Sequence, residues 1–451
     1  MNMSTIIAQE QSDLHLQQIM SDLDNNALYD ARGHLQGLHP AEIALLLSSL
    51  PIDYRNQIWG IIAPEMMGSV LVILQGEVRT GLIEQATAQN LIDATSELDI
   101  NDLAVLVGDF PAFVREKVLE KKGDSRLETA LTYDGRTAAG VMDINVLTIQ
   151  ADLTVEAVLQ FLREQPKIAA NMDSLVVVDE DNKYRGMVHL PTLLTSDIHI
   201  VVSSIMELDK AIALNMAVAD VALLFEQRDI LSAAVIDEHG VVKGRVTIDD
   251  VLDIVRDEAE HVVLSSAGLD EEHDLFSPVL VSARRRAVWL GVNLFTAFLA
   301  SWVIGLFEAT IAEIVALAVL MPIVASMGGI AGSQTLTLVI RGLALHQISP
   351  SNSMKFLGKE IAIGAVNGVV WSIVVATLAS LWFSSWGLGL MLGGAMIINL
   401  CCASLAGVLI PLFLQKKGID PALAGGVLLT TVTDVIGFMS FLGLATIFLT
   451  N

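Results

Sequence analysis

Asp434 lies near the middle of an apolar segment that is long enough to form a membrane-spanning helix. A carboxylate at the centre of such a helix costs about 2.5 to 3.5 kcal/mol on insertion scales, so these groups usually face a water-filled path or a partner ion. The apolar segments contain no Arg or Lys at a comparable depth. The simplest partner for Asp434 is therefore a cation that passes through, and the residue is a candidate ion-binding group.

The second apolar segment combines a helix breaker with glycines and a polar side chain. Proline removes a backbone donor and clashes with the preceding turn, so Met321 and Pro322 are predicted to interrupt the segment. Gly328 and Gly329 follow, and small residues let helices approach closely in membranes. Carbonyls freed by the interruption could line a wet cavity, whereas an ordinary kinked packing helix is the alternative. Gln334 could hydrogen-bond between helices or contact a hydrated ion.

A group of six carboxylates crowds the segment shortly before the first apolar span. Its members are Asp249, Asp250, Asp253, Asp257, Glu258 and Glu260. On a helix, several of them fall three or four positions apart, where like charges repel. Divalent cations take oxygen ligands, and Mg²⁺ usually keeps several waters while it uses one or two carboxylates. The group is therefore a candidate regulatory metal site, and a merely solvated acidic face is the alternative.

Charge and hydropathy divide the chain near Arg286. The first 286 residues contain 46 acidic and 21 basic side chains and carry the whole formal net charge of -25, whereas the remainder contains five of each. This division indicates one part in water and one part in lipid. The negative charge argues against nucleic acid and anionic lipid heads as partners, and it suits the binding of cations.

Five apolar stretches are long enough to span a membrane. They are placed at 287–305, 311–340, 361–382, 388–414 and 422–449. Lys and Arg occur before the first stretch, between the second and third, and between the fourth and fifth, but not in the other connections. By the positive-inside rule, the large N-terminal region is cytoplasmic and the C-terminus is outside.

Residues 137–258 contain an internal repeat. Each copy has the pattern of a helix, an apolar strand, an acidic turn, a second strand and a helix. Asp179 and Gly186 of the first copy match Asp237 and Gly244 of the second at an offset of 58 residues. The pattern resembles a pair of cystathionine-β-synthase (CBS) domains, and such pairs regulate channels, transporters and enzymes, often by binding adenine nucleotides.

The first 130 residues or so are helical in pattern and have a repeat of their own. Residues 39–51 parallel residues 99–111, and both blocks end on a proline, which stops a helix. Short stacked helices in a small superhelical domain are therefore expected.

Taken as a whole, the chain is similar to members of the MgtE family of magnesium channels over nearly its entire length. The resemblance rests on the sequences at 246–253, 286–290, 307–308, 420–422 and 433–437. The family's pore motif is Pro and then Gly-Gly-Asn-x-Gly-x-Gln; here Pro322 is followed by Gly-Gly-Ile-Ala-Gly-Ser-Gln, which begins at Gly328. Ile330 thus replaces the family's Asn and removes a polar pore group.

The resemblance implies a homodimer with the pore between its subunits. In such a dimer Asp434 binds the hydrated cation, and Gly328, Gly329 and the Thr430 carbonyl contribute to its path. Cytosolic Mg²⁺ would bind between the acidic domains and favour a closed state, with a plug near 262–276. Further candidates for this regulatory binding are three carboxylates of the N-terminal domain, Asp93, Glu97 and Asp99.

The expected fold is multidomain, with an all-α superhelical N-domain, tandem α/β CBS domains and a five-helix α transmembrane domain. The domain boundaries are placed at 1–132 for the N-domain, 133–198 and 199–260 for the two CBS domains, 261–286 for a connecting plug helix and 287–451 for the transmembrane domain.

The expected function is Mg²⁺-selective uptake through the bacterial inner membrane, gated closed by Mg²⁺ at the acidic domains. Mg²⁺ and, at the CBS pair, ATP or another adenine nucleotide are the expected ligands, and membrane lipid surrounds the spans. The alternatives are a transporter of another divalent cation such as Co²⁺, Ni²⁺ or Mn²⁺, and a non-conducting membrane sensor of Mg²⁺. A CBS-regulated enzyme is not expected, because the sequence shows no catalytic constellation and no Walker-type motif.

Overall fold

The structure is a computed structural model that describes residues 17–25, 27–165, 168, 171–269, 274–349 and 351–449. The chain divides into two structural units. The first comprises Met1–Ala259 with Glu272–Ser277, and the second comprises Glu260–Glu271 with Pro278–Asn451.

The N-terminal part of the first unit consists of short helices around one apolar core. They are α1 (17–24), α2 (Leu28–Leu35), α3 (Pro40–Ser48), α4 (Ile52–Ile61), α5 (Pro64–Ile73), α6 (Gly76–Gln85), α7 (Ala88–Ala94), α8 (Ile100–Val107), α9 (Ala112–Lys122) and α10 (Ser125–Ala130). Alternate helices contact one another, α3 with α5, α5 with α7 and α7 with α9. Their buried leucines, isoleucines and valines form one cluster, as predicted for a superhelical N-domain.

The two parallel blocks of this domain adopt matching local structures. His39 and Asp99 cap the N-termini of α3 and α8, and each side chain accepts a hydrogen bond from the first turn. Arg55 and Arg115 occupy equivalent positions after the two blocks. Arg55 donates side-chain hydrogen bonds to carbonyls at the end of α3, and Arg115 donates to carbonyls at the end of α8. The internal repeat is therefore present in the structure as well as in the sequence.

Arg55 also holds a distant segment of the chain against the N-domain. Its Nη1 and Nη2 donate to the two carboxylate oxygens of Asp274 at 2.6 and 3.0 Å, and the two side chains are only 5% and 4% exposed. Glu77 accepts hydrogen bonds from the Asp274 backbone and from the Ser277 hydroxyl. The segment 274–277 is thus fixed to the N-domain, immediately before the first transmembrane helix begins.

The CBS-like repeat folds as two three-stranded sheets with helices. The first copy contains α11 (Ala138–Val141), β1 (Thr148–Gln150), α12 (Val155–Glu164), β2 (Ser174–Val178), β3 (Tyr184–His189) and α13 (Leu190–Thr195); the second contains β4 (Ile212–Ala213), α14 (Val218–Arg228), β5 (Ser232–Ile236), β6 (Val242–Thr247) and α15 (Ile248–Ser266). In each sheet the short first strand is parallel to the second, and the second and third form an antiparallel pair. The sequence did not predict β1 and β4, which are only three and two residues long.

The 58-residue offset is confirmed at the level of hydrogen bonds. Asp179 Oδ1 accepts from two backbone N–H groups of its turn, and Asp237 Oδ1 does the same in the second copy. Ser174 and Ser232, also 58 residues apart, hydrogen-bond to each other at 2.8 Å in the buried contact between the copies. Such self-pairing of equivalent residues indicates a pseudo-two-fold axis between the two copies.

The connection to the membrane part is not the single helix predicted over 261–286. Residues 261–266 complete α15, the described residues from 267 to 278 are irregular, and the next helix begins at Val279. Gly268 ends α15 with φ +71°, a conformation that favours glycine, and His261 Nε2 lies 3.2 Å from Asp420 Oδ2. Of the plug predicted near 262–276, residues 270–273 lie outside the described residues.

The second unit contains five helices that are long and apolar enough to cross a membrane. They are α16 (Val279–Gly305), α18 (Ala316–Ala344), α19 (Ser353–Phe383), α20 (Trp386–Lys416) and α21 (Pro421–Leu449), with the short α17 (Glu308–Glu313) after the first. Helix α20 contacts α18, α19 and α21 and is the most buried of the five. Together with the apolar composition, these helices make the chain a multi-pass membrane protein.

The predicted interruption at Met321 and Pro322 is wrong. Helix α18 continues through Pro322, which is exposed on its surface, so the loss of one backbone donor near the helix start is tolerated. The chain breaks earlier, around Ile314, between α17 and α18. Gly328 and Gly329 therefore lie in continuous helix, and their carbonyls are not freed by the proline.

A buried asparagine joins three of the transmembrane helices. Asn399 on α20 is fully buried, and its Nδ2 donates to the carbonyl of Val324 on α18 at 2.8 Å. A Cβ at Gly328 would lie 2.2 Å from this nitrogen, and one at Gly437 on α21 would lie 2.7 Å from it. The two glycines thus make room for a polar contact, as is common where helices pack in membranes.

We expect Asp274→Ala to destabilise the first unit by about 3 to 5 kcal/mol, because it leaves a buried guanidinium without its counterion. Asp181→Ala removes the exposed pair with Lys183 and should cost about 0 to 1 kcal/mol. Thermal denaturation of the full chain, followed together with proteolysis of the connector, measures both. Equal melting temperatures and equal cleavage rates would contradict the role of the buried pair.

We expect Gly328→Ala to lower the thermal stability of the membrane part, since its methyl group must displace Asn399. Gly329→Ala is the matched control, because a Cβ there meets nothing within 4 Å, and alanine has the better helix propensity. Melting of the two variants in detergent compares them. A Gly328→Ala protein as stable as Gly329→Ala would show that the Asn399 contact is not tight.

Candidate functional site

An open groove of about 980 Å³ runs between one face of α18 and one face of α21. Its lining residues are Ala325, Ser326, Gly329, Ile330, Ser333, Gln334, Thr337 and Leu338 of α18, and Thr430 and Asp434 of α21. The positions recur at three- and four-residue intervals, so each set lies along a single helix face. The groove walls combine hydroxyl groups, one amide and one carboxylate with apolar side chains.

Asp434 supplies the only acidic side chain among the lining residues. It is half-buried at the middle of α21, and no ion pair or hydrogen bond of its carboxylate is found in the part of the chain that the structure describes. A carboxylate at this depth without a protein partner requires water or a cation.

Thr430 lies one turn before Asp434 and also lines the groove. Its carbonyl lies in continuous helix and also accepts a hydrogen bond from the Thr433 hydroxyl at 3.0 Å. Thr433 is fully buried behind the wall. The Thr430 carbonyl thus already accepts a hydrogen bond, and its contribution to the ion path stays a prediction.

The predicted pore residues separate into two groups. Gly329, Gln334, Thr430 and Asp434 all line the groove. Gly328 is buried on the other side of α18, against Asn399. Direction on a helix explains the difference, because adjacent residues point about 100° apart.

Ile330, which replaces the polar residue of the family motif, also lines the groove and is 56% exposed. Its side chain offers the groove an apolar surface and no ligand atom. The sequence also indicated Thr337 as a group that could hydrogen-bond between helices or contact a hydrated ion, and it lines the groove, whereas sequence reasoning missed the hydroxyl groups of Ser326 and Ser333. Their seven-residue spacing within an apolar helix was the signal that could have found them.

Glu360 is a second carboxylate inside the membrane part, and it differs from Asp434 in having a partner. It is 3% exposed and accepts a hydrogen bond from Thr335 Oγ1 at 3.1 Å, which joins α19 to α18. This residue was not among the predicted site residues. Its local environment identifies a packing contact between two helices.

The six predicted regulatory carboxylates on α15 do not form one equivalent group. Asp249 accepts a hydrogen bond from Asn171, and Asp250 accepts two from Thr247, which caps the start of the helix. Of the other four, Asp253, Glu258 and Glu260 have exposed side chains, and the side chain of Asp257 is half-buried. Glu260 belongs to the second unit and the others to the first.

Asp143, a residue that sequence reasoning missed, contacts both the N-domain and the second CBS copy. Asn101, at the start of α8, hydrogen-bonds to Asp143. Burial raises the pKa of Asp250, and the neighbouring charges of Asp143 and Asp249 raise it further, against the lowering effect of its bonds from Thr247. Asp143 also lies beside a buried cation, since Arg245 Nε is 3.8 Å from Asp143 Oδ2.

The same end of α8 carries two more carboxylates. Asp99 caps the helix by accepting from two backbone N–H groups, and burial together with the Asp99 charge raises the pKa of Asp102 to about 6. Asp93 and Glu97, the other predicted ligands of the N-domain, are exposed, and Asp93 accepts a hydrogen bond from Gln89. Of the three predicted N-domain ligands, Asp99 lies nearest in sequence to the Asp143 contact.

Three family models match successive parts of the chain. The MgtE intracellular N domain matches residues 38–134, the CBS domain matches 138–198 and 202–257, and MgtE, described as a divalent cation transporter, matches 321–444. The order of the matches agrees with the helical domain, the paired α/β copies and the membrane helices described above.

Individual proteins are similar over most of the chain. "Magnesium transporter MgtE" of Bacillus subtilis (strain 168) is 26% identical over 95% of this chain and 96% of that protein. "Magnesium transporter MgtE" of Enterococcus faecalis (strain ATCC 700802 / V583) is 30% identical over 72% of this chain and 71% of that protein.

Among solved structures, the cytosolic domain of the Mg²⁺ channel MgtE in complex with ATP is 26% identical, with a TM-score of 0.46, and covers 53% of this chain and 99% of that one. The family matches and the extent of the two sequence similarities lead to one conclusion: the chain belongs to the MgtE family of divalent cation transporters.

Proposed function

We propose that the chain transports Mg²⁺ across the bacterial inner membrane along a path that includes the groove between α18 and α21. The observation that carries this proposal is the half-buried Asp434 carboxylate on the groove wall, for which the described chain provides no partner. The relatives named as magnesium transporters supply the choice of ion.

The groove is suited to a hydrated cation more than to a bare one. Mg²⁺ gives up its waters reluctantly and is usually bound through one or two carboxylates. Asp434 would supply the charge, while the hydroxyls and the Gln334 amide would hydrogen-bond the retained waters. An inward membrane potential drives the ion with about 2.3 kcal/mol per charge per 100 mV.

A homodimer is part of the proposal. The groove is open on one side, so a single chain provides only part of the wall that an ion path needs. A second copy placed against it would close the path and bring two Asp434 carboxylates to the same ion. The orientation with cytoplasmic N-terminus and external C-terminus, and the sequence-derived boundaries of the N-domain and the two CBS domains, are retained as proposals.

Transport of another divalent cation, such as Co²⁺, Ni²⁺ or Mn²⁺, is the second candidate, and Ile330 is the observation that favours it. An exposed apolar side chain in the groove removes one hydrogen-bonding partner from the ion's water shell. Ions that lose water more readily than Mg²⁺ would be less affected by this replacement.

Regulation by cytosolic Mg²⁺ is proposed at the acidic groups around Asp143. Asn101 links Asp143 to the end of α8 that carries Asp99 and Asp102, and the charges of Asp143 and Asp249 raise the pKa of Asp250 at the start of α15. A bound divalent cation would offset their repulsion and hold the two domains together. A ligand shifts a conformational equilibrium only through its different affinity for the two states, and here the separated state lacks the shared site.

Nucleotide binding is a separate part of the proposal. The two CBS matches support ATP or another adenine nucleotide as a ligand of the paired copies. Transport, and not catalysis, is proposed as the activity, in keeping with the family.

We expect Asp434→Asn to reduce Mg²⁺ uptake into liposomes by at least tenfold, because the amide keeps the size of the side chain but removes its charge. Glu360→Gln is the matched control, since its amide oxygen can still accept from Thr335. The same assay with Co²⁺, Ni²⁺ and Mn²⁺ in competition separates the two candidate functions. Uptake that persists in a folded Asp434→Asn protein would refute the assignment of the path.

We expect millimolar Mg²⁺ to protect the first unit from proteolysis and the double variant Asp102→Asn/Asp249→Asn to require several-fold more Mg²⁺. The control Asp152→Asn/Glu156→Gln removes the same charge from exposed positions of the first CBS copy. Limited proteolysis over a Mg²⁺ series gives both midpoints. A shift of equal size in the control would mean that net charge, not a defined site, governs the response.

A further inference from the structure

A histidine and two carboxylates meet at the end of β3 in the first CBS copy. One ligand atom from each of His189, Glu207 and Asp209 lies within 4.8 Å of the others. His189 Nε2 is 3.6 Å from Asp209 Oδ2 and 4.0 Å from Glu207 Oε2. The cluster is distant in sequence from the six acidic residues of α15, and the proposed transport function does not use it.

The backbone fixes the two segments that provide these side chains. Glu207 and Met187 exchange two backbone hydrogen bonds, at 2.8 and 2.9 Å, and a Cβ at Gly186 would lie only 2.5 Å from the Glu207 carbonyl. The Tyr184 hydroxyl donates to the Asp209 carbonyl at 2.9 Å. The linker between the two CBS copies is thereby held beside β3.

A third carboxylate lies behind the histidine. Asp173 Oδ2 is 3.9 Å from His189 Nδ1, and both carboxylate oxygens of Asp173 are buried without a hydrogen-bond partner in the described chain. Histidines that bind a metal through one nitrogen usually donate their other N–H to a carboxylate or carbonyl. A small rotation of the His189 ring would give Asp173 this partner.

The second CBS copy provides an internal comparison. At the offset of 58 residues, Thr247 corresponds to His189 and Leu231 corresponds to Asp173. The backbone bridge of Asp143 with Arg245 corresponds to that of Glu207 with Met187, so Asp143 is the counterpart of Glu207. The Asp143 carboxylate accepts the hydrogen bond from Asn101 described above. The ligand set is therefore confined to the first copy and does not follow from the CBS fold.

We propose that His189, Glu207 and Asp209 bind a divalent transition metal ion of the Zn²⁺, Co²⁺, Ni²⁺ or Mn²⁺ class, with Asp173 as the partner that orients the histidine. Imidazole suits these ions, whereas Mg²⁺ favours oxygen ligands. Bonds of about 2.1 Å in tetrahedral geometry place two ligand atoms roughly 3.4 Å apart. The Glu207 side chain is 60% exposed and can therefore move toward the other two ligand atoms, which lie within 4.8 Å of its own.

A metal at this position would clamp the linker between the CBS copies to β3. The first unit would thus respond to transition metal ions at a site separate from the proposed Mg²⁺ site around Asp143. The ligand residues come from the strand and the linker, so binding would stiffen the joint between the two copies.

The test is a Co²⁺ titration of the purified full chain in detergent, followed by visible absorption, with excess Mg²⁺ present to saturate sites made of oxygen ligands. We expect one Co²⁺ per chain at this site. His189→Gln and, independently, Glu207→Gln should weaken its binding at least tenfold, whereas His239→Gln, an exposed histidine in the second copy, should leave it unchanged. Because the Glu207 side chain is exposed, its variant keeps the test valid even if His189→Gln fails to fold.

Asp173→Asn tests the orienting role. We expect it to weaken Co²⁺ binding by about 10- to 100-fold while the shape of the absorption spectrum stays the same, because the ligands themselves are retained. Binding that is unaffected by both His189→Gln and Glu207→Gln, or that excess Mg²⁺ abolishes in the unmodified chain, would overturn the proposal.

Discussion

The membrane part depends on the hydration of one carboxylate, that of Asp434, within an apolar helix bundle. Asp434 gains no compensation from a neighbouring charge in the described chain, so its position is tolerable only because it lines a groove. The width of that groove depends on how α18 and α21 pack. Asn399 and the glycines facing it set this packing, so a structural contact on one side of α18 determines the geometry of the polar face on its other side.

Two other polar side chains of the bundle, those of Asn399 and Glu360, have structural roles and can be compared with Asp434. Asn399 donates to a carbonyl, and Glu360 accepts from a threonine; both are buried and both join two helices. Asp434 is only half-buried and joins none. Since a polar group in lipid must find a partner, this contrast is the physical reason for assigning the ion to Asp434 and packing to the other two.

Local sequence patterns predicted the membrane spans and the repeats, whereas contacts between residues far apart in the sequence were not predicted. Apolar length revealed the five spans, and fixed offsets revealed both repeats, because these signals lie within a few dozen residues. The pairing of Arg55 with Asp274 spans 219 positions and leaves no periodic trace. Gly328 was placed in the groove because a motif does not show which way a helix is rotated, and the hydrogen bond of Asp143 with Asn101 requires the contact between two domains.

The excess negative charge lies in the first unit, whereas the proposed path lies in the second. The segment 274–277 is fixed to the N-domain by a buried ion pair and by Glu77, and α16 begins only two residues later, at Val279. The segment fixed to the N-domain is therefore joined to the first membrane helix by a very short stretch of chain, without a continuous helix over 261–286.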